Sequence, residues 1–167
     1  MLLLFVIVLS VLLGLALLTA VIAVLVERAV PPFGRAVKVD GETLHVVEAG
    51  RARGEAPTLL MVHGLGAQLR NFTCRLTPLL AADFHLVLVD RPGAGYSTRN
   101  PGGDASIQGQ ARVIGKLADQ LGLDRPWVVG HSLGGALALT LAQQREAQLA
   151  GLVLLAPLTA DRKSTRL

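Results

Sequence analysis

The chain has 167 residues, a formal net charge of +4, and 51% hydrophobic against 17% charged residues. This composition excludes an intrinsically disordered protein, and a single cysteine, Cys74, excludes an intrachain disulfide framework or a zinc site built from several cysteines. The basic balance does not indicate nucleic acid, because residues 161–167, with three basic and one acidic residue, carry +2 of that +4 and aromatic residues amount to only 4%.

The chain begins with an uncharged, almost wholly apolar segment, residues 2–26. As a helix it would reach roughly 37 Å, enough to cross a hydrocarbon core of about 30 Å. A cleaved signal peptide is the alternative, but no positive region precedes the segment and no clean cleavage site follows it. We therefore interpret residues 1–30 as a single-pass membrane anchor. Positive charges after the helix favour a domain on the cytoplasmic side, whereas a signal anchor would export the domain. The side of the membrane on which the domain lies therefore stays open.

Strand patterns follow a short proline-containing spacer, residues 31–35. Val37 and Val39 alternate with polar residues, Asp40-Gly41 is a two-residue hairpin signal, and residues 43–49 continue as a second strand. The later apolar runs do not alternate, which is typical of strands buried on both faces of a parallel sheet. These runs are Thr58–Val62, Leu86–Val89, Trp127–Val129 and Leu152–Leu155.

Helical stripes lie between the apolar runs. One stripe joins Phe72, Leu76, Leu79 and Leu80; the second is Ile107, Ala111, Ile114, Ala118 and Leu121; the third is Leu133, Leu137 and Leu141. Strands alternating with helices predict an α/β fold with a doubly wound, mostly parallel sheet of about six strands, spanning residues 36–160. In such sheets ligands bind beyond the carboxyl ends of the strands, so functional residues are expected directly after the apolar runs.

The segment Gly130–Gly135 follows one of these runs and precedes a helix. It contains Gly-x-Ser-x-Gly, the pattern of a nucleophile elbow, in which a sharp turn presents a serine, here Ser132, at a helix N-terminus. The backbone N–H groups there favour developing negative charge. The alternative is an ordinary glycine-rich turn with a capping serine.

Two further motifs follow other runs. His63-Gly64-Leu65-Gly66 comes after the first, and its Leu65 N–H, together with that of Leu133, would supply the two donors that an oxyanion requires. We interpret His63 as a structural residue of this loop. Residues 90–97 (Asp-Arg-Pro-Gly-Ala-Gly-Tyr-Ser) lack the Lys-Ser/Thr of a phosphate-binding loop, so we interpret them as a structural loop near the site.

Together the three motifs resemble the serine-nucleophile branch of the α/β-hydrolase-fold family, over about residues 35 to 158. The resemblance implies Ser132 as nucleophile, Leu65 and Leu133 as oxyanion donors, and hydrolysis of an ester, thioester or amide of a small acyl substrate through an acyl-enzyme. It implies no metal and no organic cofactor. The surrounding motif residues would be structural: His63, Gly64, Gly66, Gly130, His131, Gly134 and Gly135. The oligomeric state is not indicated.

The family order is nucleophile, acid, histidine, and no histidine follows Ser132 in this chain. We therefore expect an inactive N-terminal part of a longer membrane-anchored hydrolase. Residues 161–167 resemble one reading frame of a sequencing adapter, and we interpret them as non-native. Two alternatives stay open: a membrane-tethered binding module without catalysis, and an acyltransferase that uses the same nucleophile.

Overall fold

The computed structural model describes residues 1–158, and the chain divides into two compact units, Met1–Phe33 and the part from Gly34 on. The first unit contains one helix, α1 (Leu2–Ala29), which is apolar on all sides and long enough to cross a membrane. A signal sequence would share that length and composition. The anchor over residues 1–30 therefore stays a prediction, and the interpretation of residues 161–167 lies outside the described residues.

The second unit is built on a six-stranded sheet with the order β1-β2-β4-β3-β5-β6. Strands β1 and β2 form an antiparallel hairpin whose turn, Asp40-Gly41, has φ values of 53° and 80°. Strand β2 pairs antiparallel with β4, and the remaining pairs are parallel. This confirms the predicted hairpin followed by a parallel sheet. The strands are β1 (Arg35–Val39), β2 (Glu42–Gly50), β3 (Thr58–Val62), β4 (His85–Val89), β5 (Trp127–His131) and β6 (Gly151–Leu155).

Helices cover both faces of the sheet. Each strand contributes to both contacts, because successive side chains of a strand point to opposite faces. On one face Leu60 and Val62 of β3 pack in the same cluster as residues of the two long helices. On the other face Leu59 and Met61 share a cluster with Phe72. The helices are α2 (Arg70–Thr73), α3 (Leu76–Leu80), α4 (Ile107–Gln120) and α5 (Leu133–Arg145), with a 3₁₀ turn at Glu146–Gln148.

The expected single helical stripe from Phe72 to Leu80 was wrong. The structure has two short helices, α2 and α3, and Leu79 is 73% exposed. Proline inside a continuous helix would lose an i→i−4 hydrogen bond and clash with the preceding turn. The break before Leu76 places Pro78 in the first turn of α3, where neither penalty applies.

One ion-pair cluster joins the antiparallel part of the sheet. The carboxylate of Glu48 on β2 accepts hydrogen bonds from Arg35 of β1 at 2.6 Å and from Arg53 at 3.0 Å, and its Oε2 lies 3.1 Å from Nε2 of His85 on β4. Burial by itself would raise the pKa of Glu48. The hydrogen bonds outweigh that effect and lower the pKa from 4.5 to about 2.

We predict that Glu48→Gln destabilises the domain by about 1–2 kcal/mol at pH 7. Because the folded pKa is lowered, the contribution of Glu48 is complete above the unfolded pKa of 4.5 and is lost as pH falls toward about 2. We would measure denaturant unfolding of a protein starting at residue 31 at pH 7, 4 and 3. The difference in free energy of unfolding between wild type and Glu48→Gln should narrow as the pH falls. Glu55→Gln, which removes an exposed carboxylate paired with Arg51, is the control and should change stability little. A gap independent of pH would contradict the prediction.

The second face of the sheet is covered only in part. An apolar groove of about 540 Å³ lies beside α3, lined by Pro57, Leu59, Met61, Leu76, Leu80, Phe84, Trp127, Val129, Val153 and Leu155. Within residues 1–158, β6 pairs only with β5, so its outer edge is open. An open apolar edge is a site of association between chains.

We predict that a protein starting at residue 31 self-associates, and that Val153→Lys raises its monomeric fraction severalfold. Val153 lies on β6 and is 38% exposed, so a lysine there places a charge on the open edge. Light scattering coupled to size-exclusion chromatography measures the effect. Leu79→Lys adds the same charge to an exposed helical position away from the edge and should not raise the monomeric fraction. A monodisperse wild-type sample would contradict the prediction.

Candidate active site

The parallel register of β3 and β5 brings two loops together. Val62, the last residue of β3, pairs with Gly130 of β5, so the segments that follow both strands leave the sheet at the same level. The first is His63-Gly64-Leu65 and the second is His131-Ser132-Leu133. The site expected at the carboxyl ends of the strands is therefore assembled from the end of β3 and the junction of β5 with α5.

Ser132 occupies that junction in a strained backbone conformation, with φ 53° and ψ −117°. Positive φ is uncommon outside glycine and persists only where neighbouring structure enforces it. Three backbone hydrogen bonds do so here: the N–H of Ser132 donates to Leu155 at 3.0 Å, and its carbonyl accepts from Gly135 and Leu158, both at 2.9 Å. The turn between strand and helix is thus sharp, as the motif predicts.

Gly134 allows α5 to begin directly against β3. A Cβ on this residue would collide with the carbonyl oxygens of Val62 and His63. Any larger residue would therefore push the helix away from the strand end. The close approach brings Ser132 to the His63–Leu65 loop.

Gly64 is the point where that loop meets the serine. A Cβ built there would lie 3.0 Å from Cβ of Ser132 and 3.3 Å from Nδ1 of His131, so a side chain would occupy space next to the hydroxyl. Leu65 follows, with its side chain 80% exposed. Within residues 1–158, no acceptor takes the N–H of Leu65 or of Leu133. Two free backbone donors thus flank the serine.

His63 lies behind the loop and is fully buried. Its Nδ1 is 2.9 Å from the carbonyl oxygen of Gly64, and its Nε2 accepts the backbone N–H of Arg91 at 3.1 Å, which places the ring proton on Nδ1. Burial, with a smaller effect from the charge of Arg91, lowers the pKa of His63. Both ring nitrogens are engaged in holding the backbone, an arrangement suited to a structural role.

The loop after β4 is organised by the buried carboxylate of Asp90. Its Oδ2 is 2.8 Å from Nδ1 of His45 and accepts the N–H of Tyr96 at 3.0 Å, and its Oδ1 accepts the N–H of Leu69 at 2.7 Å. Ser97 donates its hydroxyl to the Asp90 carbonyl at 2.7 Å. These contacts fit the structural loop expected over residues 90–97.

Arg91, the next residue, also points inward and is only 5% exposed. Its Nε donates to the carbonyl of His63 and its Nη2 to that of Gly64, both at 3.1 Å. Its Nη1 donates to the Gln110 side chain at 2.9 Å. The sequence placed the loop that contains Arg91 near the site, but it did not predict the contact of Arg91 with Gln110 or the His45–Asp90 pair. The only signal was a charged dipeptide directly after a buried strand.

The sequence also predicts an apolar pocket wall formed by Leu65, Leu69, Leu133 and Phe72, and this wall is only partly present. Leu69 and Phe72 are buried in the core cluster on the second face of the sheet and offer no open surface. Leu65 is exposed and Leu133 half-buried. The physical reason is that Leu69 and Phe72 enter α2, which turns its apolar side toward the sheet rather than toward the strand ends.

Two other histidines are engaged by side chains outside the serine loop. His45 pairs with Asp90, and His85 contacts Glu48 and the hydroxyl of Thr58. His131 precedes the serine and is half-buried. In residues 1–158 no three His, Cys, Asp or Glu side chains cluster in a way that could hold a metal ion.

Comparison with known proteins agrees with this geometry. A 2-hydroxy-6-oxononadienedioate/2-hydroxy-6-oxononatrienedioate hydrolase from Cupriavidus pinatubonensis is 32% identical over 121 residues, covering 70% of this chain and 41% of that protein. The monoacylglycerol lipase abhd6-A from Xenopus laevis is 33% identical over 106 residues, covering 62% and 31%. The crystal structure of a membrane phospholipase A superposes with a TM-score of 0.72 at 29% identity, covering 91% of this chain and 53% of that one.

The chain spans less than half the length of these two curated relatives. The family model described as alpha/beta hydrolase fold matches residues 57–166, which is most of the part that follows α1. The match includes the ends of β3, β4 and β5, where the candidate site lies. The chain therefore belongs to the α/β-hydrolase fold family.

Proposed function

We propose that the protein is a membrane-anchored serine hydrolase of the esterase or lipase type. Ser132 would be the nucleophile, and the N–H groups of Leu65 and Leu133 the oxyanion donors. One observation carries the proposal: a serine held at φ 53° between strand and helix, with a glycine loop packed against its Cβ. A serine that merely caps a helix would not need this strained backbone.

The chemistry follows from these groups. Ser132 Oγ attacks the carbonyl carbon of an ester, thioester or amide while its proton passes to a base, and the carbonyl oxygen becomes an oxyanion that accepts the two N–H groups. Collapse of this intermediate expels the alcohol, thiol or amine with a proton and leaves an acyl-enzyme. Water then attacks the acyl-enzyme, which releases the carboxylic acid and restores the serine.

In the family the base is a histidine that follows the nucleophile in the chain. Within residues 1–167 no histidine follows Ser132. We propose that a carboxylate and a histidine from a region corresponding to the unmatched half of the relatives complete the triad. The 167-residue chain itself would then be nearly inactive, since loss of one triad member typically costs about 10⁴-fold in rate.

A substrate with an apolar acyl group is the best-supported class. Leu65, directly beside the serine, exposes 80% of its surface, so an acyl or aryl group would meet hydrocarbon at the mouth of the site. Among the relatives, the names of a monoacylglycerol lipase and a membrane phospholipase A indicate lipid esters for those proteins. An acyltransferase with the same nucleophile differs only in using an acceptor other than water.

The alternative function is a membrane-tethered binding module without catalysis. An intact gene that encodes no acid and histidine to complete the triad would favour it. In that case Ser132 would keep its turn but would lack the activation that nucleophilic attack requires.

We predict that a labelled fluorophosphonate modifies Ser132, slowly in the 167-residue chain and at least ~10³-fold faster in a longer product of the same gene that contains the missing acid and histidine. Peptide mass spectrometry locates the adduct. Ser132→Ala should abolish the labelling, whereas Ser10→Ala on α1 should not change it. Equal labelling of wild type and Ser132→Ala would contradict the nucleophile assignment, and slow labelling of the longer product would favour the binding module.

We predict that residues 2–26 stay attached to the protein in the membrane fraction and resist extraction by alkaline carbonate. An uncharged helix of this length is stable in the hydrocarbon core and costly to remove from it. Mass spectrometry of the amino-terminal peptide of the membrane-bound protein makes the measurement. A protein starting at residue 31 should be released by carbonate. A mature amino terminus after α1 would instead indicate a cleaved signal peptide.

A further inference from the structure

The guanidinium of Arg91 is a buried positive charge without a carboxylate partner. The residue is 5% exposed, and among residues 1–158 no Asp or Glu carboxylate oxygen lies within 4.0 Å of its guanidinium nitrogens. Burial, and next the charge of Arg99, lower the pKa of Arg91. Buried charges are costly and are normally paired with an opposite charge. The polar contacts of the Arg91 side chain must therefore offset the cost of burying its charge.

All three partners of the side chain are amide oxygens. Two are the backbone carbonyls of His63 and Gly64, each at 3.1 Å, and the third is Oε1 of Gln110 at 2.9 Å. Gln110 is held in turn, because its Nε2 donates to the carbonyl of Ala105 at 2.9 Å. The planar guanidinium is therefore fixed on all sides with its charge directed at the loop that faces Ser132.

The Gly64 contact determines where the next N–H points. In a trans peptide the C=O and the N–H point in opposite directions, so the Gly64 carbonyl and the Leu65 N–H form one rigid unit. The carbonyl is directed inward by two donors, Nη2 of Arg91 and Nδ1 of His63. The Leu65 N–H must then point outward, on the side of the loop that lies against Ser132.

We infer that Arg91 is a positioning residue for the oxyanion site, holding the Gly64–Leu65 peptide so that the Leu65 N–H is aimed at the developing oxyanion. This inference rests on the proposed function of Ser132. The charge adds a second effect, because a cation bonded to the carbonyl end of a peptide polarises it and strengthens the hydrogen bond that its N–H donates. Arg91 itself touches neither substrate nor the reacting atoms.

The peptide can be observed directly in the full chain. Glycine labelled with ¹³C at the carbonyl and leucine labelled with ¹⁵N give signals in a three-dimensional HNCO spectrum only from Gly-Leu pairs. The sequence contains four such pairs, Gly14-Leu15, Gly64-Leu65, Gly122-Leu123 and Gly151-Leu152. Gly64-Leu65 reports the peptide in question, Gly122-Leu123 and Gly151-Leu152 are internal controls for folding of the second unit, and Gly14-Leu15 reports α1 alone.

In detergent micelles, Arg91→Gln should shift the Gly64-Leu65 signal and leave the other three in place, and Arg91→Lys, which keeps the charge, should shift it less. Arg112→Gln, which removes an exposed arginine paired with Asp104, is the control and should shift none of them. A Gly64-Leu65 signal that stays unmoved in Arg91→Gln would overturn the inference. Displacement of the Gly122-Leu123 and Gly151-Leu152 signals as well, in both Arg91 variants, would also overturn the inference, because Arg91 would then serve general folding rather than this peptide.

Fluorophosphonate kinetics on the same variants give the second readout. Arg91→Gln should lower the maximal labelling rate of Ser132 about 10- to 100-fold while the half-saturating probe concentration stays unchanged, because only transition-state stabilisation is lost. Equal maximal rates in wild type and Arg91→Gln would overturn the inference and leave the proposed function intact. If the wild-type longer product that contains the acid and histidine is never labelled while Arg91→Gln still shifts the Gly64-Leu65 signal, the proposed function is contradicted and the role of Arg91 in holding the peptide is supported.

Discussion

The parallel pairing of β3 with β5 is the constraint on which the candidate site depends. With Val62 opposite Gly130, the two strands end at the same level, and the loops that follow must share one small space. Only backbone fits where they meet, which is why Gly64 faces Ser132 and Gly134 faces the end of β3. A shift of the register by one residue would reverse the faces of β5 and remove the serine from the loop.

A buried polar layer behind the loops maintains this arrangement. Asp90 fixes the start of α2 and the turn at Tyr96, while Arg91 holds the carbonyls of His63 and Gly64. Such a layer costs desolvation energy, and its benefit is a unique backbone conformation rather than stability. The hydrophobic core places the strands to within a few ångströms, and the buried hydrogen bonds then set the direction of individual N–H groups.

The sequence predicted the features that depend on local pattern. Non-alternating runs such as Thr58–Val62 gave the buried strands, and Asp40-Gly41 gave the hairpin. The pattern failed at Leu79, since Pro78 moved the helix start and turned that side chain to solvent. It also assigned Leu69 to an open pocket wall, although the residue is buried in the core. Contacts such as that of Arg91 with Gln110 cannot be predicted from local sequence pattern, because they join segments that only the folded sheet brings together.

The strain at Ser132 shows which part of the proposed site forms without a general base. The conformation is enforced by hydrogen bonds to Leu155, Leu158 and Gly135, all within the described chain, and none of them involves a histidine. The turn and the proposed oxyanion donors can therefore form without a general base. Nucleophile activation is a separate requirement that a distant histidine would meet. A binding module and an enzyme would share this site, and only the proton acceptor at Ser132 Oγ would distinguish them.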